Sequence, residues 1–474
     1  MLDALVPALQ RSAERCVQRV DHRSPILVQK LPRAFFWAFW VIVMLSAAPL
    51  AVGKALRSLL SFYSMLVHFQ LRGGKLGEAP LTHGNVAAEA YIYSICLEFW
   101  MWDRPHYRNG SWGEDSVKNM RNLCIPGTGI PLSWLAMHKD IALVFLWCIY
   151  PIVCLVAAVY CYLPRGLAAV AQGFETNLLQ PDDWFSFWRL NCRLASAHAH
   201  LMPATGYAME NKWTFLVAAK AAGIPVSPWL EAPAALVAKD RNEEGGMGIH
   251  FFKNAAHGGE WILQPRLHNS AFLRGLLPPS APLSTLRIIT SSTAGLRRDC
   301  IRRVAYTGEQ PLEGGALQEA RRHITALSCV FRAGRAEAET DHSCILFDVD
   351  LATGLVGGGT TNAHWYRLWQ LGGADLNSKH DYQVHPDGGA PVTGAVIPDM
   401  QGITDMVVGA HAELLADVPL AGWDVALTPE GPLLLEVNLS CNFFRGSFDA
   451  REYWSFVRAY MCQLDKARRR AWEQ

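Results

Sequence analysis

Three oxygen-bearing residues near the C-terminal end of the chain stand where two apolar strands should meet. They are Asp424, Glu436 and Asn438, within the stretch from Gly422 to Ser440. Read as a hairpin, the loop is Pro429-Glu430-Gly431, whose glycine can take a left-handed conformation. That register pairs Thr428 with Pro432 and sets Asp424 directly opposite Glu436. Asn438 lies two residues on and projects from the same face as Glu436. Like charges facing each other across strands destabilise a sheet unless something neutralises them. A divalent cation held by these hard oxygen donors would do so. A polar, solvent-facing side of an edge hairpin would carry the same residues, and this stretch alone leaves both readings open.

Other positions invite chemistry singly. Lys239 ends an apolar strand, Ala235 to Lys239, and Gly246-x-Gly248 follows. Such a loop lets backbone N–H groups close over phosphates while the lysine supplies a point charge. It is neither a Walker A sequence nor a dinucleotide fingerprint, and a glycine-rich hairpin turn with an exposed lysine has the same look. Lys212 opens a helix that ends at Gly223, an ordinary place for a surface lysine. The strand "WILQ" ends in Gln264-Pro265, a connector able to present backbone groups to a flat base. Arg287 lies inside the apolar strand "LSTLRIIT", where a half-buried guanidinium needs a substrate, a phosphate or a carboxylate. Arg332 and the nearby Asp341 pose the same question. The pair His198-x-His200 has metal-ligand chemistry but no third ligand beside it, and the scattered cysteines show no C-x-x-C or zinc spacing.

The elements that must position these residues occupy only part of the chain. Its 474 residues exceed one ordinary domain. Hydrophobic residues make up 51% and charged residues 18%, and the mean hydropathy is +0.09, a balance that leans toward membrane association. Net charge is +1, so no global field recruits nucleic acid, and no nucleic-acid module is present. Twelve scattered cysteines read as reduced thiols and a cytosolic main body.

Two domains are expected, 1–170 and 171–474. The first is a helical, membrane-associated region. Arg11, Arg15, Arg19 and Arg23 form a basic stripe ahead of an uncharged run over 34–53, and a second uncharged run covers 141–164. Each is long enough to cross a bilayer, and each could instead be a buried or interfacial helix. Six Lys/Arg before the first run favour a cytoplasmic N-terminus, and two spans would return the C-terminal domain to the cytoplasmic side of the plasma (inner) membrane. From 171 the texture becomes an α/β (α+β) domain. Strand-like runs "AALVAK", "GIHFF", "EWILQ", "LRIITSS" and "CILFDVD" alternate with helices, and the hairpin and a basic-ended helix close the chain.

In this order and wording, residues from about 190 to 450 resemble the ATP-grasp superfamily, and within it the sugar-transfer-associated ATP-grasp group. The phrases that carry the likeness are "ENKWTF…AGIPVSP", "LSTLRIIT", "HPDGGAPVTGAVIP" and "GWDVALTPEGPLLLEVN". The resemblance implies a fold of two lobes gripping a nucleotide, with ATP and two magnesium ions as cofactors. It assigns Asp424, Glu436 and Asn438 to magnesium, and Lys212 and Lys239 to the phosphates. Gly246 and Gly248 fall in the phosphate-covering loop, and Gln264 to Leu267 in the adenine hinge. Arg287 and Arg332 fall beside the transferred phosphoryl group and the acceptor. Two positions depart from the pattern: the hinge begins with Gln264 where an acidic residue is usual, and His342 follows Asp341 where the group has Asn.

The implied reaction is ATP-dependent ligation. A carboxylate attacks the γ-phosphorus, and an amine or similar nucleophile captures the acylphosphate. The implied acceptor is a small-molecule or lipid-linked glycan carrying a carboxylate or amine, in polysaccharide or glycoconjugate assembly at the membrane. A phosphotransferase on the same fold and a non-catalytic nucleotide-binding membrane scaffold are the rival readings.

Overall fold

The computed structural model describes residues 101–121 (without 109), 131–149 (without 132 and 137), 184–239 (without 203), 249–296, 314–361 (without 342 and 343), 382–439 and 450–473. It also describes single positions at 60, 63, 64, 67, 151, 152, 155 and 156. The chain divides into two compact units, Met1–Arg104 with Ser111–Ser186 and Arg367–Ser378, and Pro105–Gly110 with Phe187–Tyr366 and Lys379–Gln474.

In the first unit, helix α1 (Trp112–Met120) begins at a capping box. The Ser111 hydroxyl accepts from the Glu114 backbone N–H at 3.2 Å, and the Ser111 N–H donates to the Glu114 carboxylate at 3.0 Å. Helix α2 (Lys139–Val144) passes directly into a π-helical turn, Phe145–Ile149. The apolar run expected over 141–164 therefore begins as four residues of α-helix before its hydrogen-bond pattern changes. Among the described residues, no helix is long and apolar enough to cross a membrane. The run over 34–53 lies outside the described residues, as does part of the second run. Within the second run, Ile141, Val144, Ile149, Ile152 and Val156 are exposed.

The second unit holds the rest of the architecture. Helix α3 (Trp184–Leu201) enters it, and a 3₁₀ turn leads to α4 (Lys212–Ala221). Asn211 caps α4 by accepting from the Thr214 N–H at 3.1 Å, and Gly223 ends it at φ 72°, as the sequence leads one to expect. Strands β1 (Ala235–Lys239) and β2 (Ile249–Lys253) form a two-stranded antiparallel sheet. The strand expected at "EWILQ" does not form a ladder. Only Trp261 makes a bridge, to Asn254, and the following residues run irregularly into α5 (Ala271–Leu276). Pro265 removes a ladder donor there, and Leu263 spends its carbonyl on the Leu230 N–H at 2.7 Å.

The principal sheet has six antiparallel strands in the order β6-β5-β4-β3-β7-β8. They are β3 (Thr285–Ser292), β4 (Ile324–Ala333, after helix α6, Gly314–Arg321), β5 (Ile345–Val349), β6 (Val356–Thr360), β7 (Leu420–Thr428) and β8 (Gly431–Asn438). Helix α7 (Met400–Leu415) precedes β7, and α8 (Ala450–Glu473) closes the chain. Period-2 alternation divides the sheet into two faces. Leu286, Ile288, Phe331, Phe347, Trp423 and Val425 pack with Phe215 of α4 and Ile403, Val407 and Leu414 of α7 in one core. Arg287, Arg332 and Asp424 take the intervening positions. The mixed helix-and-sheet class is as expected.

One detail of the hairpin differs from its sequence reading. Thr428 pairs with Gly431, leaving Pro429-Glu430 as the turn, and the register shifts by one between Asp424 and Val425. Gly431 supplies the positive φ, 120°. The shift leaves Leu435 without a partner, so Asp424 still faces Glu436. Because of this bulge, Leu434 and Val437, three apart, both reach the core, while Glu436 and Asn438 stay on the other face. The extra residue aims the two oxygen-bearing side chains.

Candidate active site

Asp424 and Glu436 are cross-strand neighbours as the sequence predicts, and protein cations neutralise them. Arg287, opposite Asp424 on β3, donates from Nε to Oδ1 and from Nη2 to Oδ2, the latter at 2.9 Å. Arg332 of β4 adds a bond from Nη1 to Oδ2 at 3.3 Å. Asp424 is 5% exposed, a burial that by itself pushes its carboxyl up. The two guanidiniums outweigh it and hold the group below the ordinary carboxylate range. A buried carboxylate requires such partners, which is why a charge sits in the middle of the apolar stretch "LSTLRIIT".

Arg332 is fixed from its other side. Its Nη2 donates to Asp341 Oδ1 at 2.9 Å, and the Thr285 hydroxyl donates to Asp341 Oδ2 at 2.6 Å. Burial raises the Asp341 carboxyl, against the pull of Arg332 and Thr285. For the Arg332 guanidinium, burial acts to lower its pKa, and Asp424 and Asp341 raise it above the usual value. Thr285, Arg332 and Asp341 thus form a clamp whose strength was not legible in the sequence. Thr285 is an ordinary strand residue, and Asp341 stands in a loop nine residues after Arg332.

The second carboxylate meets a cation from another element. Lys212 Nζ, in the first turn of α4, lies 2.7 Å from Glu436 Oε2. Burial works to lower the Lys212 pKa, and the Glu436 carboxylate raises it further than that. Asn438 Nδ2 donates to Glu436 Oε1 at 3.3 Å. The end of β8 is held by Glu210, which accepts from the Leu439 N–H at 2.7 Å and pairs with Arg108 at 2.7 Å. Glu210 precedes the helix cap and carries no sequence signal of this role.

The cluster is charge-balanced: Arg287, Arg332 and Lys212 against Asp424, Glu436 and Asp341. Among the described residues, no group of three His, Cys, Asp or Glu is placed to hold a metal ion. The donor set here is two carboxylates completed by an amide. Its chemistry fits magnesium at Glu436 and Asn438. Both are half-buried, the Asn438 amide oxygen has no partner among the described residues, and the lysine on Glu436 is 67% exposed. Asp424 has both oxygens on guanidinium groups, so an ion there would share them.

The remaining expected residues are more dispersed. Lys239 ends β1, is exposed and has no ion-pair partner among the described residues. Gly246 and Gly248 lie outside the described residues. Gln264 uses its side-chain amide internally, donating to the Ser227 hydroxyl at 2.8 Å and the Pro228 carbonyl at 3.2 Å. Leu267 is half-buried and lines a cleft. The histidine pair is split. His198 is buried against the Tyr207 hydroxyl at 3.1 Å, and burial lowers its pKa to about 3, while His200 lies on the more exposed side of α3. Residues two apart on a helix do not share a face, so no joint metal site forms there.

Residues 323–444 match the family model described as sugar-transfer associated ATP-grasp. The match covers about a quarter of the chain, from β4 through the hairpin, and includes Arg332, Asp424, Glu436 and Asn438. Lys212, Lys239, Gln264 and Arg287 precede it. No curated protein and no solved structure matches the chain.

Proposed function

We propose that this chain is an ATP- and magnesium-dependent ligase that activates a carboxylate as an acylphosphate and transfers the acyl group to an amine or similar nucleophile. The observation that carries the reading is the facing pair Asp424 and Glu436, with Asn438 beside them, inside the segment that matches the ATP-grasp family, and with Lys212, Arg287 and Arg332 around them.

Each residue has a task that its surroundings support. Glu436, Asn438 and Asp424 would hold magnesium, which when bound supplies positive charge to the phosphates. Lys212 would move from Glu436 onto a phosphate oxygen, a short swing for an exposed ammonium at the start of a helix. Lys239, on the other sheet, would meet the same phosphates. Arg332, clamped by Asp341 and Thr285, and Arg287 keep fixed positive charge where negative charge develops during transfer. Gln264 ties the connector to residues 227 and 228, leaving backbone groups to meet the base. In the reaction, a carboxylate oxygen bonds to the γ-phosphorus as ADP departs. The amine then bonds to the acyl carbon, releasing phosphate and a proton.

The acceptor in this reading is a glycan or glycoconjugate, free or lipid-linked, handled at the cytoplasmic face of a membrane. The family description and the two uncharged runs support it. The test uses the full chain with Mg·ATP and a panel of carboxylates, with hydroxylamine as nucleophile. Hydroxamate formation matched by ADP and free phosphate supports the ligase. A phosphoryl group retained on the acceptor assigns a phosphotransferase instead.

A further inference from the structure

The connector after Gln264 and helix α5 enclose a cleft of about 310 Å³, lined by Arg266, His268, Asn269, Arg274, Pro278 and Leu283 among others. Among the described residues, its lining contains two arginines, one histidine and no carboxylate. Arg266 and Arg274 are exposed, and neither makes an ion pair or side-chain hydrogen bond among the described residues. That sets them apart from Arg287, Arg332 and Arg335, whose guanidiniums are all met by carboxylates. Two arginines that line one concavity and are unpaired among the described residues make a local positive site, strengthened by the low-dielectric wall of Leu277, Pro278 and Leu283.

The cleft is braced. Asn269 is 8% exposed; it donates to the Pro282 carbonyl at 2.9 Å and accepts from the Ser284 N–H at 2.9 Å. The Ser270 N–H donates to the Leu427 carbonyl of β7 at 2.8 Å. The wall is thereby fastened to β3 and β7, the strands that carry Arg287 and Asp424. Only Ser284 separates Leu283 of the lining from Thr285, which holds Asp341 and through it Arg332.

We infer that this cleft binds the anionic group of the acceptor, a carboxylate or phosphate on a sugar-sized molecule, with Arg266 and Arg274 as its recognition residues. The volume lies at the small end of the roughly 300–1,000 Å³ of ligand clefts, suited to one sugar or amino-acid unit. Guanidiniums are the side chains that read both anions through paired N–H donors. The inference rests on the ligase reading for the word acceptor; the anion site itself is tested without nucleotide.

The experiment is saturation-transfer NMR on the full chain without nucleotide, using D-glucuronate, D-glucose 1-phosphate and D-glucose as probes. The expected result is saturation of at least one anionic probe and none of D-glucose. Arg274→Gln and Arg266→Gln should each weaken binding at least tenfold, and Arg274→Lys should retain part of it. Both positions are exposed, so the variants should fold as wild type does. A response to glucuronate alone assigns a carboxylate, and one to glucose 1-phosphate alone a phosphate. Absence of binding by either anion, or binding unchanged in Arg274→Gln and Arg266→Gln, overturns the inference. The assay contains no nucleotide, so failure here is read separately from failure of the ligase reading, which Mg·ATP titration tests.

Discussion

Arg287 and Asp424 face each other across β3 and β7, and one guanidinium holds both carboxylate oxygens in a place where each side chain is under 10% exposed. Removing one partner strands the other. Arg287→Met should destabilise the full chain by about 3 kcal/mol, because breaking a buried pair leaves an uncompensated charge. Arg332 moderates the loss by keeping one bond to Asp424. Urea denaturation followed by tryptophan fluorescence measures it. Stability within about 0.5 kcal/mol of wild type would show that the pair is not buried as described.

Lys212 and Glu436 form the opposite kind of pair, with the lysine 67% exposed. Exposed ion pairs contribute little to stability, on the order of 0–1 kcal/mol. Lys212→Met should therefore leave the melting temperature nearly unchanged while weakening Mg·ATP binding at least tenfold. A variant that melts early and binds normally would reverse the assignment and make the lysine structural.

His411 gives a pH signature. It is fully buried, with Nε2 3.0 Å from the Val418 carbonyl and Nδ1 2.7 Å from the Thr290 hydroxyl, which also accepts from Trp423 Nε1 at 2.8 Å. Burial lowers its pKa to about 4. The unfolded histidine takes up its proton near pH 6.5, so between about 6.5 and 4 the unfolded chain binds more protons. Stability from this residue is complete above that window and falls as the pH drops through it, by on the order of 3 kcal/mol. His411→Gln should be less stable at pH 7 and lose less on acidification, with His198 accounting for part of the remaining decline. Equal pH slopes in variant and wild type would contradict a neutral buried His411.

Asp341 acts through Arg332. Asp341→Asn keeps the shape and removes the charge, so the Thr285 and Arg332 contacts weaken. ATP affinity should stay within about threefold while turnover with an acceptor falls at least tenfold, because Arg332 loses its fixed orientation. A rise in the KM for ATP at unchanged kcat would place Asp341 at nucleotide binding instead.

Much of this was legible in advance, for identifiable reasons. The hairpin reading of Gly422 to Ser440 put Asp424, Glu436 and Asn438 together, the charge inside "LSTLRIIT" marked Arg287 as needing an anionic partner, and Gly223 marked where α4 ends. The pairing of Asp424 with Glu436 was correct although the turn is one residue shorter than expected. The Leu435 bulge compensates, and the consecutive leucines Leu433 to Leu435 hide the break it makes in the period-2 pattern. The expected strand at "EWILQ" failed because apolar content alone does not supply a ladder partner, and Pro265 removes a donor. Least legible were the long-range partners. That Lys212 reaches Glu436 depends on how α4 lies against β8, and that Asp341 grips Arg332 depends on a loop. Composition and spacing specify neither.

On the proposed reading, Asp424, Glu436 and Asn438 bind the metal of a bound nucleotide. Isothermal titration of the full chain with ATP, with and without magnesium, in wild type and Glu436→Gln, tests it most directly. Magnesium-dependent ATP binding by the wild type, weakened at least tenfold in Glu436→Gln, is the predicted result. Equal affinity in both proteins, or ATP binding by the wild type indifferent to magnesium, would contradict it.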